Sequence, residues 1–147
     1  MMATMARKIF PTPDDAETAF YEAFERCDLA AMMAVWANED NIVCIHPHGP
    51  RLAGLDAIRA SWAEIFSAGP NFQLKVSEAR VYESQTLCVR TVYEILSLRS
   101  EKRTAAPILA TNVFLLTPGG WRITLHHASP SPPGTTAEEQ GLARILH

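Results

Sequence analysis

The sequence predicts a single domain of the α+β class, in which the helices come first and the strands last. Three stretches of helical spacing occupy the first half of the 147 residues, and four stretches that alternate apolar and polar side chains follow them. With 48% apolar and 20% charged residues, a chain of this length buries one core rather than two. We expect this domain to span residues 12–130.

The three helices are predicted from their capping residues. Thr12, followed by a proline, is a suitable N-cap, so the first helix is expected to begin there and to end near Arg26. Asp28 can cap a second, shorter helix. A third helix is expected to start after Gly54 and to stop before Gly69, which precedes a proline.

The other periodic stretches predict strands. Residues 42–46 are mostly β-branched or apolar, which suits a short strand buried on both faces. Residues 72–76 and 87–95 alternate apolar with polar side chains, as long antiparallel strands do. Residues 108–116 and 121–128 do the same, and the glycine-containing loop between them predicts a hairpin.

The chain beyond residue 130 is predicted to form a tail. Several prolines and a glycine at residues 130–134 make a stiff break. Thr136 and Glu139 then form a capping box, which predicts a terminal helix within residues 131–147. We expect this helix to dock on its own domain or on a partner chain.

Charge and cysteine content argue against several classes of partner. A net charge of −3 without runs of like charge argues against binding to nucleic acid or to a membrane surface. No apolar stretch approaches the ~20 residues of a membrane-spanning helix, and no signal-peptide core is present, so a cytoplasmic protein is expected. The three cysteines lack C-x-x-C spacing, which predicts reduced core residues rather than disulfides or a zinc site.

The order of these elements is similar to that of a known superfamily. Gly54 and Ile58 open the third helix at G-x-x-x-I spacing, and Trp121, His127 and Ser129 close the sheet. This pattern resembles the nuclear transport factor 2-like superfamily and, within it, SnoaL-like domains. The resemblance implies a cystatin-like cone, in which three N-terminal helices pack on a curved, mixed, mainly antiparallel sheet that opens at one end to a pocket. It also implies a homodimer.

The superfamily includes ketosteroid isomerases, whose pattern implies roles for several residues. The isomerase base stands in a D-P-x-G run, and residues 46–49 read H-P-H-G, so the resemblance places His46 in the base position. It places Asn112 where the isomerase has a second, protonated aspartate that donates to an oxyanion. The isomerase's oxyanion tyrosine falls on Phe20, with Tyr21 turned away by about 100°, which argues against steroid isomerisation.

The last hairpin decides which polar side chains face inward. If Leu116 pairs with Trp121, strict alternation places Asn112 and His127 on the inner face and His126 on the outer face. A solvent-facing Asn112 is the alternative. The predicted catalytic set is His46 as base, Asn112 as electrophilic donor, and His127 as a second donor or proton relay.

Aromatic and polar residues around that set are predicted to bind the substrate. They are Phe20, Trp36, His48, Trp62, Arg90 and Ser129. Core packing is the alternative for the two tryptophans, and His48 is placed at the rim. Arg90 is suited to bind a carboxylate, or else lies on the exposed sheet face or in an intersubunit salt bridge. Neither a metal nor another cofactor is predicted, because no H-E-x-x-H motif or carboxylate cluster accompanies the histidines.

Two functions follow from this reading. The first is a cofactor-free isomerase, cyclase, dehydratase or hydrolase that uses a histidine base on a small hydrophobic organic substrate. The second is a non-catalytic ligand-binding or assembly domain, in which the same polar residues orient a bound molecule and the sheet mediates dimerisation. A histidine with a displaced pKa inside a pocket favours the first, whereas exposed or mutually satisfied histidines favour the second.

Overall fold

The elements form in the predicted order. The computed structural model describes residues 7–98, 103–104 and 106–136. The helices are α1 (Pro13–Arg26), α2 (Leu29–Val35) and α3 (Leu55–Phe66). The strands are β1 (Val43–Ile45), β2 (Leu52–Ala53), β3 (Phe72–Glu83), β4 (Leu87–Leu98), β5 (Arg103–Thr104), β6 (Ile108–Thr117) and β7 (Gly120–Pro130). The predicted terminal helix lies outside the described residues.

The helix boundaries confirm the capping signals. The Thr12 hydroxyl oxygen accepts a hydrogen bond from the Asp15 backbone N–H at 3.1 Å at the start of α1. At the other end of α1, Cys27 adopts the left-handed conformation with φ +54°, and this ends the helix. The Asp28 carboxylate accepts from the Ala31 N–H at 3.0 Å and so caps α2. No helix among the described residues is long and apolar enough to cross a membrane.

The strands form one mixed sheet in the order β2-β1-β7-β6-β4-β3, and β5 pairs with β4. Among the described strands, β1 and β7 pair in parallel and the other pairs are antiparallel. The helices pack on one face of this sheet, which we call the inner face, and the opposite side is the outer face. The predicted α+β class is therefore confirmed. The short strands β2 and β5 were not predicted, and β3 runs seven residues past its predicted end at residue 76.

A β-bulge in the last hairpin reverses the expected facing of β7. Leu116 does pair with Trp121, the condition on which the expected facing depended, but the register shifts between Phe114 and Val113 and leaves Thr124 without an opposite residue. One extra residue moves every later side chain to the other face of the sheet. The alternation expected beyond Thr124 is therefore wrong.

The two adjacent histidines of β7 show this reversal. His126 is only 1% exposed and faces the core, whereas His127 is exposed. His126 also pairs with Asn112 across the β6–β7 ladder. The inward Asn112 agrees with the prediction, but the orientations predicted for His126 and His127 were both wrong.

A segment at the start of the described chain closes the core beside the hairpin. Phe10 is buried and forms a parallel bridge with Gly120. The buried Arg122 guanidinium lies 4.9 Å from the Phe10 ring centroid and donates to the backbone carbonyls of Lys8 and Ala34. These contacts hold residues 7–10 against α2 and the β6–β7 turn.

Candidate functional site

Five buried polar side chains from α1, β4, β6 and β7 meet on the inner face, and we call them the polar cluster: Glu17, Tyr21, Glu94, Asn112 and His126. The Asn112 amide nitrogen lies 2.9 Å from the Tyr21 hydroxyl and 3.3 Å from a Glu17 carboxylate oxygen, and it donates to both. The Tyr21 hydroxyl donates to Glu94 Oε2 at 2.7 Å. Asn112 is thus the centre of the cluster, and its N–H donors are engaged by protein atoms.

His126 is held in one neutral form. Its Nδ1 lies 2.6 Å from the Asn112 side-chain oxygen, which only accepts, so Nδ1 carries the proton. Its other nitrogen, Nε2, lies 4.0 Å from Glu94 Oε2. Burial, with smaller contributions from His46 and His127, lowers the pKa of His126 to about 3. His126 is therefore uncharged at neutral pH.

The same buried environment shifts the pKa of Glu94 upward, opposite to the shift of the His126 pKa. Burial raises the pKa of its carboxyl to about 7, and the hydrogen bond from Tyr21 opposes part of that rise. Burial also raises the pKa of Tyr21 and of Glu17. Burial therefore shifts both carboxyls of the cluster towards their neutral forms, and Arg90 opposes that shift for Glu17.

The pKa shifts of Glu94 and His126 predict how the free energy of unfolding depends on pH. Because folding raises the pKa of Glu94 from 4.5 to about 7, its contribution is present below pH 4.5 and is lost as the pH rises through 7. Because folding lowers the pKa of His126 from 6.5 to about 3, its contribution is present above pH 6.5 and is lost as the pH falls through 3. Between pH 4.5 and 6.5 the two effects have opposite slopes and cancel, so we expect the free energy of unfolding to be highest across that range.

The variant Glu94→Gln isolates the loss of stability at higher pH, because glutamine keeps an oxygen for the Tyr21 hydroxyl but does not titrate. Relative to this variant, the free energy of unfolding of the wild type is expected to fall by at most about 1.4 kcal/mol per pH unit between pH 5 and 7. Urea denaturation at a series of pH values measures it, with the exposed Glu22→Gln on α1 as control. Parallel profiles for the wild type and Glu94→Gln would contradict the assignment.

Arg90 lies on the inner face, next to the cluster. Its guanidinium forms ion pairs with Asp14 at 2.6 Å and with Glu17 at 3.4 Å. The alternative of an exposed sheet position is therefore wrong for Arg90, which is buried. Because two carboxylates of α1 already bind the guanidinium, recognition of a substrate carboxylate by Arg90 stays a prediction.

His46 lies at the end of β1, beside the cluster and half-buried. Its Nε2 is 2.9 Å from the Ser61 hydroxyl of α3 and 3.6 Å from the Cys44 sulfur. The ring lies edge-on to Trp62 at 4.8 Å between centroids and 6.5 Å from the His126 ring. Burial lowers the pKa of His46, so the imidazole is neutral at pH 7. A half-buried neutral imidazole has the properties of a general base.

A tight turn follows His46 and brings the chain to the surface. The His46 carbonyl accepts from the Gly49 N–H at 2.8 Å. His48, inside this turn, is exposed and has a positive φ of +62°. The turn thus separates His46, which faces α3, from His48 at the surface.

The remaining predicted residues divide between the two faces of the sheet. Phe20, Trp36 and Trp62 are fully buried in the core, and the Phe20 ring lies 5.0 Å from the His126 ring and 5.6 Å from the Trp62 ring. Ser129 is exposed on the outer face with His127, because the bulge reversed both. The structure therefore brings His46, Asn112, Phe20 and Trp62 together and does not bring His127 or Ser129 to them.

An open groove reaches the cluster from outside. It lies between α1 and β3, has a volume of about 280 Å³ and is lined in part by Glu17, Tyr21, Leu74 and Val76. Within the part of the chain that the structure describes, no group of three histidine, cysteine, aspartate or glutamate side chains is arranged to hold a metal ion. The pocket predicted around His46 stays a prediction.

Sequence reasoning missed four members of the polar cluster: Glu17, Tyr21, Glu94 and His126. One signal was available for Glu94, because it follows Arg90 at a spacing of four in a strand, where residues two and four apart share a face. Two opposite charges on one face of an otherwise apolar strand indicate either a solvated face or a buried, paired one. The alternation of apolar residues favoured a solvated face, whereas the structure shows a buried face whose charged side chains are paired.

The fold is an α+β cone with the cystatin-like architecture that the sequence predicts. The family match and a 30% identical solved structure, both described below, place it in the nuclear transport factor 2-like superfamily. Residues 14–133 match the SnoaL-like domain family, and the chain belongs to this family. A solved structure from Thiobacillus denitrificans, provisionally described as a calcium/calmodulin-dependent protein kinase type II association domain, is 44% identical with a TM-score of 0.80. The match covers 84% of this chain and 98% of that one.

Two further proteins are similar to this chain. A Streptomyces avermitilis protein of the same superfamily, provisionally described as a dehydratase, is 30% identical with a TM-score of 0.72, over 82% of this chain and 99% of that one. F-box protein SKIP8 of Arabidopsis thaliana is 29% identical over 112 residues, which are 76% of this chain and 46% of that protein. This chain thus spans less than half the length of the curated relative it matches.

Proposed function

We propose that this SnoaL-like protein is a cofactor-free acid–base enzyme for a small organic molecule, with His46 as its base. One observation supports this most: His46 is a neutral, half-buried imidazole next to a buried polar network. The reaction classes it suits are isomerisation, cyclisation, dehydration and hydrolysis. The protein from Streptomyces avermitilis, provisionally described as a dehydratase, gives this proposal further support.

The chemistry begins with proton transfer to His46. The imidazole takes a proton from a C–H that lies between a carbonyl and a C=C bond, the C–H electron pair is delocalised over both, and a dienolate forms beside an imidazolium. The imidazolium then returns the proton to the far carbon of the former C=C bond, so the double bond moves into conjugation with the carbonyl and the isomerisation is complete. The lowered pKa of His46 keeps the imidazole in the neutral form that this step requires.

The polar cluster supports this step electrostatically. A second cation 6.5 Å from His46 would oppose its protonation, and the burial that holds His126 neutral removes that repulsion. The role of Asn112 as an oxyanion donor stays a prediction, since its amide already donates to Tyr21 and Glu17. In this proposal Asn112 acts by fixing the His126 tautomer that carries the proton on Nδ1.

A histidine-resolved NMR titration with cyclohexenone, benzoate and valerolactone tests the proposal. We expect one of these ligands to shift the His46 resonances and to change the pKa of His46, while the exposed His127 on the outer face shows no ligand response. If every histidine titrates near 6.5 and no ligand perturbs His46, the enzyme proposal is wrong and the assembly function becomes the better one.

His46→Ala separates a functional role from a structural one. We expect a loss of about 1 kcal/mol in the free energy of unfolding, because one half-buried hydrogen bond to Ser61 is removed. Any turnover found should fall by about 10²–10⁴-fold. Thermal unfolding and activity measure the two effects, with His127→Ala on the outer face as the matched control. A fall in Tm of many degrees for His46→Ala alone would mark His46 as structural.

The outer face of the sheet supports a second function, assembly into a homodimer. Tyr82, Val89, Val113, Leu125 and Val43 pair with one another in turn and form an apolar row across β3, β4, β6, β7 and β1. Tyr82 in this outer row is 84% exposed, and the other four are half-buried although none of the described helices, α1 to α3, covers that face. We propose that a second copy of this chain packs here, because a symmetric dimer buries the same patch on both copies.

Val113→Arg tests the dimer, because Val113 lies at the centre of the outer row. A charge there would be buried without a partner in the dimer and solvated in the monomer. We expect the mass measured by sedimentation equilibrium to halve, with Ala57→Arg on the exposed surface of α3 as control. A wild-type mass of one chain would contradict the dimer.

A further inference from the structure

Ser61 and His46 share a hydrogen bond whose direction is determined by a third group. The Ser61 hydroxyl oxygen lies 2.7 Å from the Ile58 carbonyl oxygen in the preceding turn of α3. A carbonyl only accepts, so the single hydroxyl proton points to Ile58. If Ser61 donated to His46 instead, two oxygens would lie 2.7 Å apart without a proton between them.

With its proton engaged, Ser61 can only accept from His46. The distance from the Ser61 oxygen to His46 Nε2 is 2.9 Å, which is normal for an N–H donor. Cys44 lies on the same side, 3.6 Å from Nε2, and burial raises the pKa of its thiol to about 12. The thiol is therefore neutral, and its sulfur, a weak acceptor, is compatible with an N–H at Nε2.

We propose that Ser61 is a positioning residue that fixes the tautomer of His46, so that Nε2 carries the proton and Nδ1 is the basic nitrogen. When Nδ1 takes a proton, Nε2–H becomes part of an imidazolium and its hydrogen bond to Ser61 strengthens. Ser61 therefore stabilises the charged form more than the neutral one. The function of Nδ1 as the base rests on the proposed function, whereas the tautomer does not.

The same helix provides a matched control. Ser67 near the C-terminus of α3 donates to the Glu64 carbonyl at 2.7 Å, with the same spacing of three residues and the same distance as Ser61 to Ile58. Ser67→Ala removes an equivalent helix contact without touching His46, and Ser61→Thr keeps a hydroxyl at the position of interest.

The test is the ¹⁵N spectrum of the His46 ring at a pH where it is neutral. We expect the wild type, Ser67→Ala and Ser61→Thr to carry the proton on Nε2, and Ser61→Ala to show a mixture of the two tautomers. In Ser61→Ala the pKa of His46 should also fall. A wild-type ring protonated on Nδ1, or a Ser61→Ala spectrum identical to wild type, would overturn the proposal.

The ligand experiment separates this inference from the proposed function. If cyclohexenone perturbs wild-type His46, we expect Ser61→Ala to weaken turnover about tenfold through kcat, with KM unchanged. If the tautomer depends on Ser61 but cyclohexenone, benzoate and valerolactone all leave His46 unperturbed, the positioning role is supported and the enzyme proposal fails. If a ligand perturbs His46 but the tautomer does not depend on Ser61, the enzyme proposal is supported and the positioning role of Ser61 fails.

Discussion

Asn112→Ala is expected to lower the free energy of unfolding by about 3–5 kcal/mol. Asn112 is fully buried, and its amide binds His126, Tyr21 and Glu17 at once. Alanine leaves the His126 Nδ1–H without an acceptor and removes a donor from both the tyrosine and the carboxylate. A buried group that loses its partner costs about 1–3 kcal/mol, and the vacated volume adds to it.

Urea denaturation at pH 6 measures this loss, with Thr111→Ala as the matched control. Thr111 is the neighbour of Asn112 on β6, but it is half-buried and faces the outer side of the sheet, where it pairs with Thr91. Thr111→Ala should cost less than about 1 kcal/mol. If the two variants lose similar amounts, the polar cluster does not stabilise the fold as its geometry implies.

Local signals in the sequence were sufficient for the helices and for the order of the elements. Thr12 and Asp28 act as N-caps because a side-chain oxygen meets a backbone N–H three residues on, and no distant contact is involved. The pairing of Leu116 with Trp121 is likewise set by a short loop. Features of this kind can be predicted because all of their partners are near in the chain.

The polar cluster could not be predicted from local pattern, because its partners are far apart in the chain. Glu94 is buried beside Tyr21 of α1, 73 residues away, and Asn112 reaches Glu17 across 95 residues. Until α1 packs on the sheet, a charged residue in β4 is expected to be solvated. The apolar side chains of β4 that alternate with it, Val89 among them, instead face the outer side of the sheet.

The bulge at Thr124 explains why the orientations of His126 and His127 were predicted wrongly. Its single extra residue exchanges the faces of His126 and His127, and nothing in the alternating pattern of residues 121–128 marks where it occurs. Phe20 and Tyr21 show a related effect on α1. Both side chains are buried: the Phe20 ring contacts Trp62, and the Tyr21 hydroxyl donates to Glu94. The resemblance to ketosteroid isomerases therefore placed the oxyanion tyrosine at Phe20, one residue before the tyrosine whose hydroxyl enters the cluster.

Gly120→Ala is expected to release the segment at residues 7–10 and to lower the free energy of unfolding by about 3 kcal/mol. Gly120 has a φ of +98°, and an added Cβ would lie 2.8 Å from the Phe10 carbonyl oxygen and 2.9 Å from its backbone nitrogen. Backbone atoms cannot rotate away as a flexible side chain can. Phe10 would therefore leave its bridge to Gly120, and its buried ring would lose its contact with Arg122.

Gly119→Ala is the matched control, because its Cβ would meet the Arg122 side chain at an ordinary 3.6 Å. Denaturation gives the total loss, and limited trypsin digestion reports the segment itself. The Lys8 carbonyl, at a trypsin site, accepts a hydrogen bond from Arg122, and this contact protects the peptide bond in the docked state. We expect faster cleavage after Lys8 in Gly120→Ala than in Gly119→Ala or wild type. Equal cleavage rates with equal stability would show that residues 7–10 dock without the close approach of Phe10 to Gly120.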